Sequence, residues 1–388
     1  MSLPKNPVAA ATWPDPYPFY ADLVARRPLY RDEALGLWVA SSGQAVSAVL
    51  TAPACRVRPP TEVVPRALGP SAAAVFRHLV RMDDGPVHCP MKQAVASCLG
   101  TLGSLAGRQG ADEARRWTRL LTGPGRLHAL TFQLPVSVVA SLLGLPPDVL
   151  PQVASWTGDF VRGIAPGATP ERLEAGERAA HGLLEAFRAT LASDGGGMLA
   201  LLARQAEHFG AHGREAMLAN AIGLLSQTHD ATAGLLGNTL LALLSRPSLL
   251  EQVRASPGLL PSVLDEVLRY DPPVQNTRRF LAEDAVVGGQ AMAEGDAVLV
   301  VLAAANRDPA FNVDPERFDI ERKGRRSFTF GAGVHACPGE TLAKALAQGA
   351  LEELLTGDLG PLREAARDAV LQPSVNGRIP LFPREARS

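Results

Sequence analysis

The chain has 388 residues, 46% of them hydrophobic and 20% charged, with a net charge of −1. These values describe a globular protein with a sizeable core and give no reason to expect nucleic acid or an anionic membrane as partner. Four cysteines, Cys55, Cys89, Cys98 and Cys337, show neither CxxC spacing nor a small disulfide framework, which favours a reduced, cytoplasmic setting. Residues 1–18 carry no secretory pattern and no anchor helix, so no membrane attachment is expected.

In chain order, residues 15–18 form a turn and 19–26 have helical spacing. Residues 37–40 read as a short strand and 44–50 as a helix. Residues 52–70, rich in Pro and Arg, read as a long irregular loop of the kind that often carries function. Helical patterns follow at 87–99 and, in several amphipathic pieces, over 111–192, with breaks at 123–125, 146–147 and 164–167. A glycine-rich connector at 193–197 precedes a helix at 198–208. Residues 214–244 lack proline and are largely apolar, which predicts a helix of roughly 45 Å. The polar cluster at 226–230 marks it as a core helix rather than a bilayer span. Helices at 248–255 and 261–270 lead to short strands at 278–280, 285–287 and 297–301, an irregular stretch from 308, and a hairpin-like tail at 375–381. The expected class is mainly α with a small β portion, as one domain over residues 1–388.

The stretch Phe330-Gly331-Ala332-Gly333-Val334-His335-Ala336-Cys337-Pro338-Gly339 sets one cysteine where a glycine-rich loop feeds a helical pattern at 340–355. Glycines permit the positive φ angles such a loop needs. A helix start presents unpaired N–H groups and a positive dipole end, which favours the thiolate, the metal-ligating form. Two readings stand on these residues alone: an inert core thiol, or a metal ligand.

Three further features accompany the loop. Glu266-Val267-Leu268-Arg269 sets a carboxylate and a guanidinium on one helix face, able to lock bidentately. Pro315-Glu316-Arg317-Phe318 lies between that pair and the cysteine, and the long helix of 214–244 lies upstream. In this order they resemble the cytochrome P450 family, whose haem-binding signature of aromatic, Gly, x, Gly, x, His, x, Cys, x, Gly is complete in Phe330, Gly331, Gly333, His335, Cys337 and Gly339. The resemblance runs from Asp15 to the tail.

It implies a cytochrome P450 fold with a long distal helix over a buried haem b, and Cys337 as axial thiolate. Phe330, Gly331 and Gly339 would surround the ligand, and His88, Lys92, Arg279 and His335 would face the haem propionates. Lys92 stands where the family usually has Arg, replacing a fork by a point charge. Glu266, Arg269 and Arg317 would form the network that holds the cysteine loop. The pocket would draw on Leu224, Gln227, Thr228, Val274, Asn276 and Val375 and take a mid-sized, moderately polar small molecule such as a biosynthetic intermediate. The resemblance also implies a ferredoxin-type electron donor with a NAD(P)H-dependent reductase. Arg322, Lys323, Arg325, Arg326 and Lys344 flank the loop as a basic docking face or as a solvated charge run.

One departure is informative. The family pattern Ala-Gly-x-Asp/Glu-Thr becomes Gln227-Thr228-His229-Asp230-Ala231-Thr232: the acid, Asp230, is present and the alcohol position is Ala231. That alcohol helps order water and deliver protons during oxygen activation, and alanine has no hydroxyl. Thr232 is turned about 100° around the helix and does not simply substitute. His229 is expected to pack or to face solvent behind the helix. Three explanations stay open: a substrate hydroxyl or water completes the path; Thr228 or Gln227 does so; or the chemistry differs, as radical coupling, group transfer or peroxide-driven oxidation. A different class, a haem-thiolate sensor without turnover, stands beside the monooxygenase reading.

Overall fold

The computed structural model describes residues 4–84, 88–121, 125–193, 197–206 and 213–382, without the side chains of 88, 89 and 100–107. The helices are α1 (Pro7–Ala10), α2 (Tyr17–Arg26), α3 (Gly43–Thr51), α4 (Pro70–His78), α5 (His88–Leu120), α6 (Arg126–His128), α7 (Leu134–Leu143) and α8 (Leu150–Gly163). They continue as α9 (Pro170–Ala192), α10 (Met198–Ala206), α11 (Gly213–Leu244), α12 (Pro247–Ala255), α13 (Leu260–Tyr270), α14 (Leu302–Ala305), α15 (Glu340–Leu354) and α16 (Gly360–Arg367). The strands are β1 (Leu29–Asp32), β2 (Leu37–Ala40), β3 (Cys55–Arg56), β4 (Thr277–Leu281), β5 (Ala285–Val287), β6 (Gln290–Met292), β7 (Ala297–Val300), β8 (Val370–Leu371) and β9 (Pro380–Leu381). The mainly α class with a small β portion holds. The chain divides into two compact units, one from 1–61, 234–337 and 355–383, the other from 62–233 and 338–354.

In the first unit a five-stranded sheet runs β1-β2-β7-β4-β3. β2 and β7 are parallel, with Val39 opposite Leu299, and the other pairs are antiparallel. Strand alternation feeds both faces. Val298 and Val300 pack with Val46, Val49 and Leu50 on one side, and Leu299 joins Tyr20, Leu23 and Val39 on the other. The same alternation buries Arg279 and exposes Arg278. Arg378 ties distant segments of this unit together, donating to Asp271 Oδ1 at 2.7 Å, Trp13 O at 2.6 Å and Pro14 O at 2.8 Å.

The second unit is helical. α8 and α9 meet at Gly163 and Gly176, where a Cβ on Gly163 would stand 2.7 Å from Gly176 Cα. α5 and α15 meet at Gly349, where a Cβ would stand 2.3 Å from Ala111 O. Residues 126–143, apolar and long enough to cross a membrane by composition, are 61% buried inside the structure, as a core segment would be.

Several sequence expectations shift. α5 runs to Leu120, well past 99. The loop of 52–70 contains β3, paired with β4 through Cys55 and Leu281. The tail hairpin forms between β8 and β9, so 375–379 lies within its connection of 372–379; the Ser374 hydroxyl accepts the Gly377 N–H at 2.8 Å and turns the chain there. Strand β1 escaped notice because its residues are mixed in character and none is fully buried. The break at 123–125 lies largely outside the described residues.

Candidate active site

Gly331 and Gly333 adopt φ of +71° and +65°, the left-handed region that a side chain strains. Gly331 N–H donates to Phe328 O (2.8 Å), Ala336 N–H to Gly333 O (3.1 Å) and Cys337 N–H to Phe330 O (2.8 Å). These bonds close the loop into successive turns and hold Cys337 just before α15, whose first bond runs from Ala343 N–H to Gly339 O (2.9 Å). Cys337 is exposed and in no disulfide, while Cys55 and Cys98 are buried. Burial pushes the Cys55 thiol up to about 11 against the pull of Arg279, and it raises that of Cys98 as well. The inert-thiol reading therefore describes those two and not Cys337.

The loop hangs from a buried charge network in the first unit. α13 has a strongly apolar face that buries Glu266 and Arg269 completely. Glu266 Oε1 accepts from Arg269 Nη2 (2.7 Å) and Asp319 N–H (2.9 Å); Oε2 accepts from Arg269 Nε (3.1 Å) and Arg325 Nε (2.9 Å). Arg322 Nε approaches Oε1 at 3.5 Å. One carboxylate thus faces three guanidiniums. The surplus positive charge is absorbed by main-chain carbonyls: Arg269 donates to Pro315 O (2.9 Å) and Arg317 O (3.1 Å), Arg322 to Arg317 O (2.7 Å), and Arg325 to Ile320 O (3.0 Å). Burial draws the Arg269 guanidinium below its usual value, and its bonds to Glu266 push back. Asn306 carries the order onward, accepting Phe328 N–H at 2.6 Å at the root of the cysteine loop.

Two expectations are corrected here. The Arg317 side chain does not join the network. It is 72% exposed, 3.8 Å from Asp319, and contributes only its carbonyl. Arg325 and Arg322 take the guanidinium positions instead, because the chain turns inward beyond Asp319. For the same reason these two, with 16% and 8% side-chain exposure, are not part of a docking face. Lys323 and Arg326 remain exposed, and Lys344 is paired with Glu340 at 3.2 Å.

Helix α11 is buried from Ala216 to Leu240 except at Leu224, Gln227, Thr228, Asp230 and Ala231. At 100° per residue, Leu224, Gln227, Thr228 and Ala231 share one stripe; Asp230 lies about 60° beyond its Gln227 edge and Thr232 about 40° beyond its Thr228 edge. The Thr228 hydroxyl donates back to Leu224 O (2.8 Å) and Gln227 Nε2 to Gly223 O (3.0 Å), so both donors are drawn into the helix. Thr232 is 2% exposed, whereas the Asp230 side chain is 37% exposed. His229 packs rather than facing solvent: it is 6% exposed, its ring centroid is 5.4 Å from that of Phe132, and Nδ1 is 2.8 Å from Asp230 Oδ1.

Of the remaining candidates, His88 opens α5 with its side chain outside the described residues, and Lys92 on that helix is half-buried. Arg279 is buried at 6% exposure, donating to Arg278 O at 2.8 Å, and His335 is half-buried. Asn276 is tied to the tail. It is 3% exposed and its amide donates to Val375 O (2.9 Å), locking 273–276 against the tail, where Val274 bridges Gly377. That lock leaves the Val375 side chain 43% exposed.

The donor chemistry fits a haem. The Cys337 thiol, exposed just before a helix, is a soft donor of the kind that would hold a haem iron. Arg279 and Lys92 are cations of the kind its propionates would require, and His335 would offer a ring N–H.

Comparison with known proteins agrees. The sequence-family model for Cytochrome P450 matches residues 183–356. "Cytochrome P450 monooxygenase PikC" of Streptomyces venezuelae is 32% identical over 352 residues, 88% of this chain and 83% of that one. "20-oxo-5-O-mycaminosyltylactone 23-monooxygenase" of Streptomyces fradiae is 32% identical over 398 residues, 94% of this chain and 89% of that one. The crystal structure of CalO2 superposes with a TM-score of 0.82 at 28% identity, covering 95% of each chain. The haem-thiolate class that the loop defines is therefore also the lineage of the whole sequence: the chain belongs to the cytochrome P450 family. It is an oxidoreductase of the monooxygenase type, with relatives in secondary metabolism.

Proposed function

We propose that this enzyme binds haem b through Cys337 and oxidises a mid-sized, moderately polar biosynthetic intermediate, with a substrate hydroxyl or a water completing proton delivery. The observation that carries the reading is the open stripe of α11, where position 231 has no hydroxyl and that of Thr228 is committed to Leu224 O. When bound, the haem supplies dioxygen activation, and thiolate ligation favours O–O cleavage. Phe330, Gly331 and Gly339 pack around the ligand loop; His88, Lys92, Arg279 and His335 take the propionates. Leu224, Gln227, Thr228, Val274 and Val375 line the substrate's place, and Asp230 is the acid that serves the reacting oxygen. The whole chain acts as a single catalytic domain.

The relative named for 20-oxo-5-O-mycaminosyltylactone supports a polyoxygenated product of secondary metabolism as the substrate class. The electron donor in this reading is an acidic ferredoxin-type protein with a NAD(P)H-dependent reductase, met by Lys323 and Arg326 in the cytoplasm. Reduction by such a donor slows as salt rises; a rate independent of salt removes the docking role of these two cations.

The deciding experiment is a carbon monoxide difference spectrum followed by a screen of biosynthetic intermediates for shifts of the haem band, then turnover of the hits. A red-shifted thiolate band and ferredoxin-driven oxygenation are expected. Turnover only with peroxide, or binding without turnover, replaces this reading with a peroxygenase or a sensor.

A further inference from the structure

We propose that His229 is a positioning residue for the oxidation: it orients the Asp230 carboxyl and resupplies it with protons from the α8 side of α11. The inference rests on the monooxygenase reading above and supplies the other end of its proton path.

The ring is buried against Phe132, and Nδ1 lies 2.8 Å from Asp230 Oδ1. An ionised carboxylate only accepts, so in that state of Asp230 the contact requires the hydrogen on Nδ1, and Nε2 of a neutral ring is then left to accept. Nε2 lies beside Gly158 of α8. A Cβ at that position would stand 3.1 Å from Nε2 and 3.2 Å from Arg162 Nη1, so the glycine keeps a notch between imidazole and guanidinium. Arg162 is half exposed and paired with Asp159 at 2.7 Å. The charged or titratable groups around the imidazole are thus Arg162 and Asp159 on α8, Asp230 on α11, and His128, which stacks on the same Phe132 at 5.0 Å.

Polar groups therefore run from the half-exposed Asp159–Arg162 pair through the notch to Nε2, Nδ1 and the Asp230 carboxyl, beside the open stripe. On α11 the Thr228 hydroxyl and one Gln227 N–H donate back into the helix, and Thr232 is buried. In the step, the imidazole takes a proton at Nε2 from the solvent side and passes the one on Nδ1 to the Asp230 carboxylate, and the carboxyl so formed gives it toward the reacting oxygen. This restores the carboxylate and leaves the ring as its Nε2–H tautomer, which returns to the starting one by taking a proton at Nδ1 from water and releasing the one on Nε2 to solvent. Net, one proton moves from solvent to the reacting oxygen.

The test uses holoenzyme with a surrogate [2Fe–2S] ferredoxin, its reductase and NADPH, with dioxygen as the probe and no organic substrate. His229→Phe keeps the packing and removes both nitrogens; His229→Asn keeps a donor near the Nδ1 position and ends the path there. Both should slow NADPH oxidation about tenfold or more and enlarge the solvent isotope effect in D2O. The carbon monoxide band and the rate of haem reduction should not change. Asp230→Asn should slow turnover at least as far, and adding His229→Phe to it should slow turnover no further, because the two act in series. Wild-type rate and isotope effect in His229→Asn overturn the relay, as does full additivity in the double variant. A wild-type protein without the thiolate band overturns the monooxygenase reading itself.

Discussion

Glu266 and Asp230 are both carboxylates on helices of one chain, and their surroundings are opposite. Glu266 is fully buried, and three guanidiniums and a main-chain N–H crowd its two oxygens. Asp230 is 37% exposed in its side chain and holds one imidazole. A carboxylate whose lone pairs are all filled can only hold its neighbours in place. One with unfilled positions beside an open stripe can exchange a proton. Saturation of hydrogen bonding, more than residue type, separates scaffold from chemistry here.

The most severe test of the scaffold side removes what it supports: Cys337→Ser should abolish the red-shifted carbon monoxide band entirely. Next, Glu266→Ala strands buried guanidiniums and should cost about 3–5 kcal/mol in denaturant unfolding, with loss of haem. Arg325→Ala should destabilise in the same direction, whereas Arg317→Ala should stay within about 0.5 kcal/mol. Equal effects for the two arginines would erase the distinction between them. On the chemical side, Ala231→Thr should alter product formed per NAD(P)H by up to about tenfold at unchanged stability, read from product and peroxide yields. Unchanged coupling, rate and product would take position 231 out of the mechanism.

The smallest effect concerns a third carboxylate of intermediate character. Glu177 on α9 accepts the Ser71 and Ala72 N–H groups at 2.9 Å each, at the start of α4. Burial raises its pKa, but the Ala72 and Ser71 bonds outweigh burial and hold it below the usual carboxylate value of 4.5. A depressed folded pKa contributes stability that is present above the unfolded value and lost as pH falls through the folded one. Amide exchange at Ser71 and Ala72 should therefore accelerate in the acid range below 4.5, and in Glu177→Gln the acceleration should no longer follow the pH of that titration.

The cysteine loop and the Glu266–Arg269 pair were legible because each is local: glycine spacing and an i,i+3 pair lie on the sequence itself. The long helix was legible from uninterrupted apolar residues. Arg322 and Arg325 were not, because a dense run of Arg and Lys between Ile320 and Ser327 has the composition of a solvated surface. Only the tertiary path, with Asp319 N–H docked on Glu266, turns two of them inward. Asn276 misled for the opposite reason: a lone polar residue among apolar ones suggests a ligand contact, yet it satisfies a tail carbonyl that sequence spacing does not reveal. His229 looked inert because its significance depends on Gly158, a glycine on a different helix.

The parallel pairing of β2 with β7 has a consequence for how the protein is made. During translation the β1–β2 hairpin leaves the ribosome with Val39 at an open edge, and its partner Leu299 emerges only after residues 62–233 of the helical unit have been synthesised. Until then that edge is a template for any other nascent strand, and closure over so long a loop is slow. Production of this enzyme should thus respond to elongation rate and to chaperones that shield strand edges more than to substitutions in the helical unit.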